Sequence, residues 1–234
     1  YPDAMEEAWK LFRKTAYSSL YSYPRFTWQT VVPDQRRISK IDLSDDYLQA
    51  IRLYAGCADE LKSSELYRND LIEFVSYYVA AKAENFYKQA LKDDSENRVL
   101  AAQRNLQQTV DLLMDVDRLL ASHPLYRLEE WVELARNSGT TLQEKDAYEA
   151  NAKRLITSWG GIQEDYAARF WSGLIKDYYI PRIQLYFTKD RNKIREWEEQ
   201  WITSPWSNST TPFDDPVEAA SVSYTHLRAH ETKA

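Results

Sequence analysis

Two runs of this chain, about Ser64 to Asp93 and about Glu96 to Ser122, contain neither glycine nor proline. Stretches that long without a breaker favour helix over the short, turn-punctuated strands of a sandwich or barrel. The apolar residues agree. Leu71, Phe74, Val75 and Tyr78 in the first run, and Leu106, Val110, Leu113 and Leu120 in the second, recur at three- and four-residue intervals. With only five glycines in 234 residues, the expected fold is all-α: an irregular bundle of about eight helices, two of them long.

Shorter helical signals surround these two. Pro2-Asp3 suits a first turn, followed by Ala8, Leu11, Phe12 and Ala16. Residues 22 to 43 read as a loop. Ser44 with Asp45 and Asp46 caps a helix carrying Tyr47, Leu48, Ile51 and Tyr54. Beyond Pro124, a short helix ends at Asn137-Ser138-Gly139, and Thr141 with Glu144 forms a capping box for a helix ending near Trp159. Another helix is expected from about Asp165 to Thr188, kinked or broken at Pro181, and a last one from about Asn192 to Ile202. No repeat of fixed period occurs. Residues 1–216 read as one all-α domain and 217–234 as a disordered or non-native tail, since residues 221–234 show no apolar period. The start at Tyr1-Pro2-Asp3, already entering a helix, looks like the interior of a longer protein.

Composition removes several function classes. Net charge is −6, which argues against a nucleic-acid partner. No run of 18 apolar residues exists, so no membrane span is expected. The single cysteine, Cys57, reads as a small core residue. Metal motifs and phosphate-cradling glycine patterns are absent, so no metal and no cofactor are expected. His123 is the one histidine outside the tail; alone, beside Pro124, it suits a surface or capping role rather than a nucleophile's base. The adjacent carboxylates Glu6-Glu7, Asp45-Asp46, Asp93-Asp94, Glu129-Glu130 and Glu198-Glu199 point about 100° apart on a helix and read as solvated faces. Asp117, inside an apolar stripe, reads as one partner of an ion pair with Arg104 or Arg154.

Aromatic residues are the anomaly. Eight tryptophans and seventeen tyrosines are many for this length, and most must be core. Those beside breaks are the candidates for a surface: Tyr23, Phe26 and Trp28 in the first loop, and Trp159 and Tyr166 around Gly160-Gly161. Flat rings of this kind stack on the apolar faces of sugars.

The residues around that break resemble a known family. Tyr148-Glu149-x-Asn151, Thr157-x-Trp159-Gly160, Asp165-Tyr166-Ala167, Gly173-Leu174, Tyr178-Tyr179 and Pro181-Arg182 are similar to the C-terminal helical domain of glycoside hydrolase family 89. Ala8-Trp9-x-Leu11, Tyr67-Arg68-x-Asp70-Leu71, Asp117-x-Leu119-Leu120-Ala121 and Trp131-Val132-Glu133-x-Ala135-Arg136 follow in the family's order, so the likeness covers about residues 4 to 200. The resemblance implies an exo-α-N-acetylglucosaminidase in which this domain packs on a (β/α)8 barrel of the same polypeptide. It also implies a glycan ending in N-acetylglucosamine as substrate. Hydrolysis with retention uses two carboxyl groups roughly 5 Å apart; in the family both are glutamates on the barrel. No catalytic residue is therefore expected in this chain, which alone would be inactive. The substrate-binding residues carried over are Trp159, Tyr166 and Ile162, with Asn151, Arg154 and Arg182 holding the helices or the barrel interface. The alternative is a free-standing helical carbohydrate-binding or protein-interaction module. The low cysteine count fits a bacterial chain, for which a periplasmic or secreted location is the expectation.

Overall fold

The computed structural model describes residues 2–18, 26–30, 44–159, 167–188, 190 and 192–231. Among them are ten α-helices and no strand: α1 (Asp3–Lys14), α2 (Asp45–Ala55), α3 (Ala58–Leu61), α4 (Glu65–Ser95), α5 (Val99–Leu120), α6 (Leu128–Asn137), α7 (Leu142–Leu155), α8 (Ile180–Phe187), α9 (Asn192–Thr203) and α10 (Pro216–Glu231). A 3-10 turn at Thr27–Gln29 and a π turn at Ile175–Tyr179 complete the regular structure. The all-α expectation holds, with more and shorter helices than the apolar runs suggested.

The two long runs form an antiparallel pair, α4 and α5, at the centre. α4 is buried on nearly every side, with Leu71, Phe74, Val75, Tyr78, Val79 and Tyr87 all in the core. Such a helix needs neighbours all round, and α1, α2, α5 and α10 supply them. The reversal between α4 and α5 turns on Asn97 at φ 59°, a left-handed conformation asparagine tolerates. It is clamped by Asp93, 3 % exposed, which accepts from Gln89 (2.8 Å), Arg98 (2.5 Å) and Asn105 (2.8 Å). Asp93 therefore departs from the solvated-face expectation, and so does Glu198, 2 % exposed. In each doublet one carboxylate turns inward because a cation and further donors await it there.

Several local signals hold. Ser44 caps α2 through its hydroxyl, and the Thr141–Glu144 capping box is formed at α7. Ser64, which the sequence reading does not single out as a cap, caps α4 in the same way. Cys57 is buried. Phe12 stacks on Phe74 (3.9 Å between centroids) and Tyr54 on Tyr67 (5.1 Å), so much of the tyrosine excess is core, with hydroxyls donating to backbone: Tyr47 to Phe74 O (3.1 Å) and Tyr67 to Tyr54 O (3.0 Å).

Three local expectations change. The helix expected from Asp165 instead begins at Leu174, and Pro181 neither breaks nor sharply ends it. The preceding turn widens to π geometry, with Ile180 N–H donating to the carbonyl of Ile175, five residues back. A proline inside a helix lacks its N–H and collides with the carbonyl four residues before it; a π turn relieves both problems by shifting the hydrogen-bond register. His123 takes the capping role rather than the surface one: it is buried, and its Nδ1 accepts the Leu125 N–H (3.1 Å). The polar stretch before Pro216 is irregular, but α10 follows, with Val217 and Ala220 buried in the core. That helix runs through part of the segment 217–234 read from the sequence as a disordered or non-native tail.

Candidate functional site

Trp159 stands at the C-terminal end of α7, and the structure explains how that end is held. Inside the helix, Glu149 and Lys153 form a buried i,i+4 pair (2.9 Å), each about 1 % exposed along its side chain. The Lys153 ammonium also donates to the carbonyls of Trp201 (2.9 Å) and Ser204 (2.5 Å), beyond α9 and at its end. Its three donors are thus all used. Burial pulls the Lys153 ammonium below its ordinary pKa, against the upward pull of Glu149. Glu149 in turn accepts from Arg136 (2.6 Å) and from the Trp206 N–H (2.6 Å). One turn on, Arg154 meets Glu199 of α9 through two bonds, 2.9 and 2.7 Å.

From this fixed base the chain turns out. The Thr157 hydroxyl donates to Lys153 O (2.7 Å), and the Trp159 N–H donates to Arg154 O (2.8 Å). Trp159 adopts φ 49°, the left-handed region that a bulky residue enters at a cost of about 1–2 kcal/mol. Its side chain is 37 % exposed. A tryptophan held in that conformation and left open to solvent is where strain and function most often coincide. Ile162 and Tyr166, with both glycines of the break, lie outside the described residues.

The far side of that break is equally well anchored. The carbonyl of Arg169 accepts from the Tyr179 hydroxyl (3.0 Å) and from Gln29 (3.4 Å), and Phe170 stacks on Tyr77 at 4.8 Å. Next come Ser172 and Gly173, gripped by Asp117. This residue corrects the sequence reading: its partners are not arginines. It is fully buried and accepts from the backbone N–H groups of Gly173 (2.8 Å) and Lys176 (3.0 Å), and from the hydroxyls of Ser172 (3.3 Å) and Thr210 (2.5 Å). Burial raises its pKa, and the hydroxyl of Thr210 leads the opposing pull. Arg154, one of the two arginines offered as its partner, is taken by Glu199.

Arg182 holds helices together, as the resemblance implied. It is 1 % exposed and joins Glu198 (3.0 Å), the Tyr178 hydroxyl (3.1 Å) and the carbonyl of Gln29 (2.7 Å). Asn151 is exposed on α7. Phe26 and Trp28, offered as surface aromatics, are fully buried; they stack at 4.8 Å and pack on Phe170 and Tyr179. The missed determinant is Glu84, whose buried carboxylate accepts the Thr27 N–H (2.9 Å) and draws the loop onto α4. Tyr23 lies outside the described residues.

Two carboxylates of α4 carry tyrosine hydroxyls; the sequence reading holds Asp70 only as part of a motif and does not single out Glu73. Asp70 accepts from the Tyr54 hydroxyl (3.0 Å), and Glu73, one turn further along α4, is bonded by Tyr126. Burial raises the pKa of both. Among the described residues no group of three His, Cys, Asp or Glu side chains could hold a metal ion, and no helix is long and apolar enough to cross a membrane.

Comparison with known proteins gives this arrangement a family. The model of the α-N-acetylglucosaminidase (NAGLU) C-terminal domain matches residues 1–225. The human α-N-acetylglucosaminidase is 31 % identical over 144 residues, which is 60 % of this chain and 19 % of the human protein. A family 89 glycoside hydrolase from Clostridium perfringens, solved with 2-acetamido-1,2-dideoxynojirmycin, shares the fold at a TM-score of 0.81 and 20 % identity, over 96 % of this chain and 30 % of that one. A variant of the same enzyme, solved with its substrate GlcNAc-α-1,4-galactose, matches at 0.80 and 21 % identity, again over 96 % of this chain and 30 % of that one. The chain thus spans about one fifth of its human relative and three tenths of the clostridial structures. With a family model matched across nearly its whole length, the chain belongs to the α-N-acetylglucosaminidase C-terminal domain family.

Proposed function

We propose that this chain is the helical C-terminal domain of an exo-α-N-acetylglucosaminidase. It packs on the catalytic barrel of the same polypeptide and completes the cleft in which terminal α-linked N-acetylglucosamine is hydrolysed. Trp159, Tyr166 and Ile162 form the part of the cleft wall that this domain lends. The observation that carries the reading is Trp159: a tryptophan 37 % exposed, in a left-handed conformation, beyond a helix end fixed by Lys153 and Arg154. The clostridial complex with GlcNAc-α-1,4-galactose supports a glycan of that class as ligand.

The domain's part in the reaction is binding and orientation. An indole face covers the apolar face of a pyranose and excludes water from it, and a rigid mount means that little entropy is lost when the sugar docks. Bond cleavage by a carboxyl pair lies outside this domain. In the intact enzyme, Trp159→Ala should lower kcat/KM on an aryl α-N-acetylglucosaminide by at least about tenfold, the loss of one aromatic stacking contact with its excluded water. Thermal stability should change little. An unchanged kcat/KM would refute the assignment of Trp159, and turnover by the chain alone would refute the division of labour.

A further inference from the structure

α6 and α7 enclose an apolar groove of about 250 Å³ between them. Its walls are Trp131 and Leu134 from α6 and Tyr148 and Leu155 from α7, with Ala135 and Ala152 at its floor. Leu134 is 63 % exposed and Tyr148 45 %. Two of its polar groups are already used: the Trp131 indole N–H donates to Ala152 O (2.9 Å), satisfying a carbonyl near the open C-terminal end of α7, and the Ser138 hydroxyl donates to Leu134 O (3.1 Å). Asn151 lines it as well, with the hydroxyl-bearing Tyr148, and both are exposed. The rest is apolar surface of the kind that another folded surface covers.

The groove also reaches the end of the helix that carries Trp159. Tyr148 and Leu155 are two turns apart on one face of α7, about 10 Å along the axis; Leu155 is the last residue of that helix, and Trp159 follows four residues later. Other exposed leucines, such as Leu66 and Leu100, do not line this groove. Resting on the reading above, in which Trp159 faces a cleft closed by the catalytic domain, a body that forms the opposite wall must sit over the end of α7. The part of a family 89 chain beyond the matched region is more than twice as large as the region itself, since the match covers 30 % of it. We infer that the α6–α7 groove is the seat of the catalytic domain of the same polypeptide, with Leu134 and Tyr148 as its central contacts.

Carbene footprinting of the intact enzyme, read by mass spectrometry, tests this. Leu134 and Tyr148 should label about fivefold less than Leu66 and Leu100, as expected of side chains passing from an open surface to an interface core. If they label as strongly as Leu100 while other exposed side chains of the domain are protected, the groove assignment falls and barrel packing stands. Absence of protection anywhere on the domain overturns both. Protection that disappears on dilution assigns the groove to a second copy and overturns the inference. A double variant, Leu134→Lys with Tyr148→Lys, alters positions that the domain itself leaves exposed, so the fold should persist. It should raise labelling of Trp131 and Leu155 in the intact enzyme; unchanged labelling counts against the groove.

Discussion

Gly173 offers the sharpest test of how the far anchor is built. Its φ is +82°, so any side chain there adopts a left-handed backbone at about 1–2 kcal/mol. A Cβ at this position would lie 3.0 Å from Cζ2 of Trp206 and 3.2 Å from Cβ of Leu128. Neither neighbour is free to retreat. The Trp206 ring is held by its N–H to Asp177 (3.0 Å), its backbone by Glu149, and Leu128 is fully buried. Forcing a methyl group into such a site typically costs a further 1–3 kcal/mol, roughly. Gly173→Ala should therefore destabilise by about 3 kcal/mol, which for a chain of this length is a fall in Tm on the order of 6–12 °C. Thermal unfolding followed by circular dichroism measures it. Gly56 provides the control. It closes α2 at φ −63°, where alanine is at home; its Cβ would lie 3.2 Å from Arg52 O and 3.4 Å from Leu53 O, so a shift of a few tenths of an ångström suffices there and no left-handed backbone is involved. Gly56→Ala should stay within about 1 kcal/mol of the parent. A Gly173→Ala protein that melts within about 2 °C of the parent would refute both the backbone and the packing reasoning.

Other outcomes follow from the same contacts. Asp117→Ala strips the Gly173 and Lys176 N–H groups of their acceptor; two buried donors left unsatisfied should cost about 2–6 kcal/mol in denaturant unfolding. Lys153→Met should cost about 3–5 kcal/mol: Glu149 keeps Arg136 but loses its fully buried cation, and the carbonyls of Trp201 and Ser204 lose their donor, whereas Glu199→Gln, at an exposed pair, should cost no more than about 1 kcal/mol. Equal effects from those two variants would contradict the burial argument. Glu144 accepts from the Thr140 hydroxyl and from the N–H groups of Thr140 and Thr141, which hold its carboxyl at about 2 instead of the usual 4.5. Because the folded value lies below the unfolded one, the capping contribution is complete above 4.5 and is lost as pH falls toward 2. A carboxyl resonance of Glu144 titrating near 4.5 would show the box to be open in solution.

What the sequence disclosed was the part decided locally. A serine three residues before an apolar stripe, or a threonine followed three residues later by a glutamate, needs only its own turn to form a cap, and Ser44 and Thr141 both do so. The burial of Phe26 and Trp28 depends on Glu84, 57 residues beyond Thr27, and no local pattern signals that bond. Asp117 was singled out correctly as an inward carboxylate, but its partners lie 55 to 93 residues away and are hydroxyls and amides, which leave no charge to pair by eye. The carboxylate doublets misled for a different reason: Glu198 turns toward Arg182, 16 residues back in the chain, and Asp93 toward Arg98, whose approach depends on the turn that joins α4 to α5. The exposure of Trp159 was legible because it is local, a bulky ring next to a glycine break. The left-handed backbone beneath it was not.

The π turn at Ile175–Tyr179 has a consequence for the length of this segment. A π turn is an α-helix with one residue inserted, so removing a single residue between Lys176 and Tyr179 would restore regular winding. It would also turn everything downstream by about 100° relative to Gly173. Arg182 would then face away from Glu198 and from the carbonyl of Gln29, and the Tyr179 hydroxyl would leave Arg169. The extra residue thus works as a phase-setter between two anchors, and a one-residue deletion there should be far more damaging than any single substitution in the same turn.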